Sequence, residues 1–214
     1  MALFDQWAST YDQTVYAAEP ADGFEQYDLI LSTVADLAGV GPGSRVLDVG
    51  AGTGNLTLAV AATGAEVTAV EPSAEMRRVA GEKLGRQRVL DGHFRSLPVA
   101  NETCDAIVST YAFHHLTDEQ KRLGVQELKR ALKPGGRVVI GDIAWADETA
   151  RQQMIDRFVR QGKLDLVREM EEEYYPLIEV LRTMFQEGGF QVTVRQMTDW
   201  VWVLRGVKEA KGGR

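Results

Sequence analysis

The residues best suited to chemistry in this chain begin with three glycines in a short run, Val46-Leu47-Asp48-Val49-Gly50-Ala51-Gly52-Thr53-Gly54-Asn55. An apolar strand pattern ends at Gly50, and a helical pattern starts at Asn55. Glycine adopts positive φ without strain and lets the backbone come close to a ligand. The helix start behind it offers unpaired N–H groups. Alone, the loop fits an ordinary strand-to-helix turn as well as a ligand cradle. Glu71 shifts the balance. It ends the second strand-like run, and an acid about 20 positions past such a loop can accept hydrogen bonds from both hydroxyls of a ribose. Its two oxygens match a vicinal diol. The spacing is Gly-x-Gly-x-Gly, not the Gly-x-Gly-x-x-Gly of dinucleotide enzymes. A ribose-containing ligand is the expectation.

A second group follows Asp105-Ala106-Ile107-Val108-Ser109-Thr110, another strand pattern. Open parallel sheets bind ligands at the carboxyl ends of their strands, which places Thr110, Tyr111, His114 and His115 at that end. An imidazole there can orient or deprotonate a nucleophile, and His114 is the candidate catalytic residue. Its competing role is local hydrogen bonding at a helix start. Neighbouring side chains diverge, and no carboxylate cluster stands near the pair, so no metal is expected. Trp145, Tyr174, Tyr175, Trp200 and Trp202 can wall a pocket or pack the sheet. The acidic run Glu169 to Glu173 reads as a solvated helix face. Cys104 reads as core, and a lone cysteine forms no internal disulfide.

Positioning these residues requires alternating strands and helices. Strand patterns occupy 45–50, 66–71, 88–91, 105–110 and 137–141. Helices are expected over 55–63, behind Ser73 as N-cap, and from a Thr117/Gln120 capping box to Ala131. Pro134-Gly135-Gly136 reads as a turn. Such alternation predicts an α/β fold: a parallel sheet with helices on both faces. Residues 147–187 read as helical, interrupted near Gly162 and Pro176. Phe190 to Met197 and Asp199 to Gly206 should pair as an antiparallel hairpin at one edge. We expect one domain over 1–207, with helical segments at 1–40 and 147–187 beside the site and a loose tail at 208–214.

The chain has 214 residues and a net charge of −7. Nothing basic is clustered to follow a phosphate backbone, and acidity disfavours anionic membranes. The start lacks the pattern of a signal peptide, and no apolar run reaches the ~20 residues a spanning helix needs. A cytoplasmic protein with a small-molecule partner, no nucleic acid and no membrane is expected. A homodimer is left open.

Val46 to Asn55, Glu71-Pro72-Ser73 and Leu132-Lys133-Pro134-Gly135-Gly136 resemble the signature segments of class I S-adenosylmethionine-dependent methyltransferases. More narrowly, residues 4–12, 111–118 and Asp199-Trp200-Val201-Trp202-Val203 look like the YrrT group of Bacillus-type bacteria. The resemblance runs over nearly the whole chain. It implies the Rossmann-like class I fold, with a mostly parallel seven-stranded sheet and the antiparallel C-terminal hairpin at one edge. It implies transfer of a methyl group to a small molecule, leaving S-adenosylhomocysteine. A cofactor-binding regulator without catalysis is the alternative; an NAD(P)-dependent reductase lacks its glycine spacing. By the same resemblance Gly50 and Gly52 back the methionine part of the cofactor, and Glu71 holds the ribose. Met76 presses on the adenine or simply packs the core, and Tyr11 belongs to a segment folded over the cofactor or to surface packing. After the third strand such enzymes carry Gly-Asp; here Gly92-His93-Phe94 stands instead. His93 then takes the acid's place, with Asp91 nearby, or Phe94 supplies only backbone contacts. Thr110 completes the cofactor set. Tyr111, His114, Tyr16 and Tyr174 are the substrate-side candidates.

Overall fold

The computed structural model describes residues 8–17, 24–85 and 89–210. Helix α1 is Tyr11–Ala17 and α2 is Tyr27–Ala38. Then β1 (Arg45–Val49), α3 (Asn55–Ala61), β2 (Glu66–Val70), α4 (Ala74–Leu84) and β3 (Val89–Leu90) alternate. They are followed by β4 (Cys104–Thr110), a 3-10 turn (Phe113–His115), α5 (Asp118–Ala131) and β5 (Leu132–Ile143). Helices α6 (Glu148–Arg160), α7 (Leu164–Glu172) and α8 (Ile178–Glu187) precede the hairpin of β6 (Phe190–Gln196) and β7 (Val201–Lys208).

One seven-stranded sheet has the order β3-β2-β1-β4-β5-β7-β6. β1 to β5 pair in parallel, and β7 runs antiparallel to both β5 and β6. This is the expected Rossmann-like architecture. Side chains alternate across each strand, so one strand feeds two cores. Val46, Val108, Val139 and Val203 pack with Ile30 and Val34 of α2 on one face. Leu47, Ile107, Ile140 and Leu204 pack with Leu128 of α5 and Phe185 of α8 on the other. The Thr117/Gln120 capping box forms as the sequence requires, and Oγ of Ser73 accepts the N–H of Met76.

Three expectations change. The third strand shortens to Val89–Leu90, and Arg88 lies outside the described residues. Pro134-Gly135-Gly136 does not precede β5 but bulges within it, between Leu132 opposite Cys104 and Arg137 opposite Ala106. Lys208 is no tail residue: it ends β7, buried, and its Nζ donates to the Leu132 carbonyl at 2.6 Å. Among the described residues no helix is long and apolar enough to cross a membrane.

Candidate active site

The sheet reverses its winding between β1 and β4, the place where ligands settle in open α/β sheets. A cleft opens there. All eight residues expected to meet the cofactor line it: Tyr11, Gly50, Gly52, Glu71, Met76, His93, Phe94 and Thr110. Tyr111 and His115 line it too, as does Tyr27.

The loop explains its glycines. Gly50, Gly52 and Gly54 have φ of 72°, 54° and 89°, a region L side chains avoid. A Cβ on Gly50 would collide with Ala112, whereas one on Gly52 would meet open space. Gly52 therefore presents bare backbone to the cleft. Its N–H donates to Oε2 of Glu71 at 2.9 Å, while the Ser73 N–H donates to Oε1 at 2.8 Å. The buried carboxylate is thus fixed at both oxygens, in an orientation whose two oxygens match a vicinal diol. This backbone clamp across the loop and the end of β2 fits the ribose-binding role.

On the wall expected to meet the adenine, Met76 is buried and Phe94 packs edge-on to Phe113 at 4.9 Å. His93 is exposed at the rim. Asp91 is drawn away into an ion pair with Arg77 at 3.0 Å, which leaves His93 as the polar side chain at that wall.

The sequence reading missed Asp12. Its Oδ1 accepts from Thr53 Oγ1 at 2.6 Å and Asn55 Nδ2 at 3.1 Å, and it also pairs with Lys83. Burial would raise its pKa, but the Lys83, Thr53 and Asn55 contacts prevail and lower it. α1 is thereby tied to the glycine loop. The adjacent Tyr11, a family-like position, was the available signal. Tyr16, by contrast, is exposed and stacks edge-on to Tyr27 at 5.5 Å.

On the other wall Tyr111 takes φ of 51°, a costly conformation for a non-glycine residue. Its ring stacks on Tyr27 at 5.7 Å, and burial raises the pKa of its phenol. His114 is buried behind that wall. Its Nδ1 lies 2.5 Å from Oδ1 of Asp142, which also accepts the Ile143 N–H; Oδ2 accepts the N–H groups of Phe113 and His114. Burial alone would raise the pKa of Asp142, but the His114 ring and the Ile143 N–H lower it. An acid inside the apolar run Val138 to Ile143 was a legible signal that went unused.

The two histidines do not diverge as expected. Their ring centroids are 3.9 Å apart. Nor is a carboxylate missing: Oε2 of Glu173 lies 2.9 Å from His115 Nδ1. The last acid of the run read as a solvated face therefore turns inward, because α7 ends at Glu172 and the chain turns there. Burial and the neighbouring His114 lower the pKa of His115 against the opposing pull of Glu173. Tyr174 is exposed and lies away from the cleft walls, its carbonyl accepting from Lys121 Nζ at 2.7 Å. Tyr175 takes the inner place, 5.1 Å from the His114 ring. Trp145 and Trp200 pack together in the core, and Cys104 is buried.

Known proteins resemble the chain in sequence and in fold. A methyltransferase domain family matches residues 47–140. A methyltransferase of Geobacillus kaustophilus is 44% identical over 210 residues, 97% of this chain and 96% of its own. The YrrT methyltransferase of Bacillus subtilis is 39% identical over 209 residues, 96% of each chain. The solved structure of a putative S-adenosylmethionine-dependent methyltransferase from Methanococcus maripaludis shares the fold at 19% identity. Its TM-score is 0.66, over 98% of this chain and 94% of that one.

Proposed function

The chain belongs to the class I methyltransferases of the YrrT type, and from that membership we propose that it methylates a small-molecule acceptor using S-adenosylmethionine. The observation that carries the reading is Glu71, held at both oxygens by backbone N–H groups and facing a cleft lined by the glycine loop. When bound, S-adenosylmethionine supplies a methyl carbon on a sulfonium leaving group. Displacement at such a carbon asks the protein mainly for alignment and exclusion of water.

Each wall then has a task. Glu71 accepts from the ribose hydroxyls, the Gly50–Gly52 backbone supports the methionine part, and Met76, His93 and Phe94 enclose the base. Tyr11 and Tyr27 cover the cleft, with Asp12 holding α1 in place. Tyr111 and His115 face the acceptor, and Thr110 stays with the cofactor set. His115 is the imidazole on the acceptor wall, and His114, held by Asp142, packs against it from behind. A dedicated base is needed only where the acceptor carries a proton that must leave. Incubating the protein with S-adenosylmethionine and a panel of small thiols, amines and hydroxyl compounds tests the reading. Formation of S-adenosylhomocysteine with one acceptor class is expected. Binding of the cofactor without turnover on any class would favour a regulator.

A further inference from the structure

The His114, His115 and Glu173 side chains form a cluster that methyl transfer alone does not require. One ligand atom from each lies within 4.8 Å of the other two. Two imidazoles and one carboxylate are a donor set that zinc accepts with a fourth position open. We propose that this cluster binds a single divalent transition-metal ion, zinc by donor type, at the acceptor wall of the cleft.

The supporting shell argues for a built site. Nδ1 of His114 is held by Asp142, so Nε2 is the nitrogen that His114 offers an ion. A carboxylate behind a ligating histidine fixes the ring and raises its basicity, the usual outer shell of such sites. Here that carboxylate is itself fixed by three backbone N–H groups. The other two ligands are held through their neighbours. Lys121 is fully buried, and its Nζ bonds the carbonyls of Leu116, next to His115, and of Tyr174, next to Glu173. Burying an ammonium is costly unless it is well paired, and this one fastens the two ligand-bearing segments together. Trp145 closes the frame: its N–H donates to the Pro176 carbonyl and its carbonyl accepts from Ile178. Ion binding replaces the His115–Glu173 hydrogen bond with two coordinate bonds.

The placement deepens the functional reading on which it rests. His115 lines the cleft, so an ion between the three ligands presents its open position on the acceptor side. A metal ion there would hold an electron-rich atom of the acceptor, such as a thiolate or alkoxide oxygen.

The test uses the full chain stripped with a chelator and titrated with zinc in a calorimeter. One zinc per chain is expected, and Glu173→Gln should weaken it by about tenfold or more. Cobalt added to wild-type protein should give the strong visible bands of a tetrahedral site, a readout that needs no variant. Absence of stoichiometric zinc binding, weak octahedral-type cobalt bands, or unchanged affinity in folded Glu173→Gln overturns the proposal. Titration with S-adenosylhomocysteine in the same samples separates the two readings. Loss of zinc binding with intact cofactor binding removes only the metal, whereas zinc binding without cofactor binding removes the function.

Discussion

Two fully buried carboxylates sit under the two halves of the cleft, and they titrate in opposite directions. Asp48 in β1 lies beneath the cofactor half. Its Oδ2 accepts from Thr57 Oγ1 at 2.6 Å, while its Oδ1 has no partner. Burial, helped by nearby Glu71, pushes its pKa up to about 7. Asp142 in β5 lies beneath the acceptor half, and its donors keep its pKa low. The cofactor half is therefore organised by backbone turns and tolerates a neutral acid. The acceptor half is organised around a retained negative charge. Damage should spread differently in the two halves.

The largest expected effect is on the acceptor half. Asp142→Ala strands three backbone N–H groups and the His114 ring, and breaking such a buried network costs about 3–5 kcal/mol. Denaturant unfolding should show that loss. A loss under about 1 kcal/mol would mean that Asp142 does not organise this half.

Asp48 predicts the reverse. A carboxyl whose folded pKa is raised stabilises the fold below its unfolded pKa, about 4. That contribution is lost as pH rises through about 7. Wild-type stability should fall relative to Asp48→Asn between these values, by about 4 kcal/mol at most. Parallel stability curves for the two proteins would show that Asp48 is not held neutral.

Glu71→Ala tests the cofactor half at its centre. A hydrogen bond to a charged group contributes about 1.5–3 kcal/mol, so S-adenosylhomocysteine should bind roughly tenfold to hundredfold more weakly. Unchanged affinity in a folded variant would remove Glu71 from the site. Asp12→Ala should cost less, about 1 kcal/mol or roughly fivefold in cofactor affinity, since it acts through the placement of α1. An effect as large as that of Glu71→Ala would promote Asp12 from a tether to a direct ligand.

The same contrast explains what the sequence made legible. The cofactor half is written in local order: strand, glycine loop, helix, strand, acid. Its spacing is set by one βαβ unit, so Gly50, Gly52 and Glu71 could be read together. The acceptor half is assembled from residues far apart in the chain. Asp142 reaches His114 from the next strand, and Glu173 reaches His115 from a helix end. No periodicity links them, and Glu173 looked like every other acid in its run. Tyr16 was chosen for its place in the N-terminal segment and Tyr174 for residue type, and both are exposed. The seven strands were legible as short apolar runs set between helical patterns. The bulge in β5 was not, because Pro134-Gly135-Gly136 has the composition of an ordinary turn.

The central claim is that the glycine loop and Glu71 form an S-adenosylmethionine site. Calorimetric titration of the wild-type chain with S-adenosylmethionine, S-adenosylhomocysteine and NADH tests it most directly. The first two should bind one per chain at a shared site, each displacing the other, and NADH should bind far more weakly. Preferential binding of NADH, or no binding of either sulfur compound by folded protein, would contradict it.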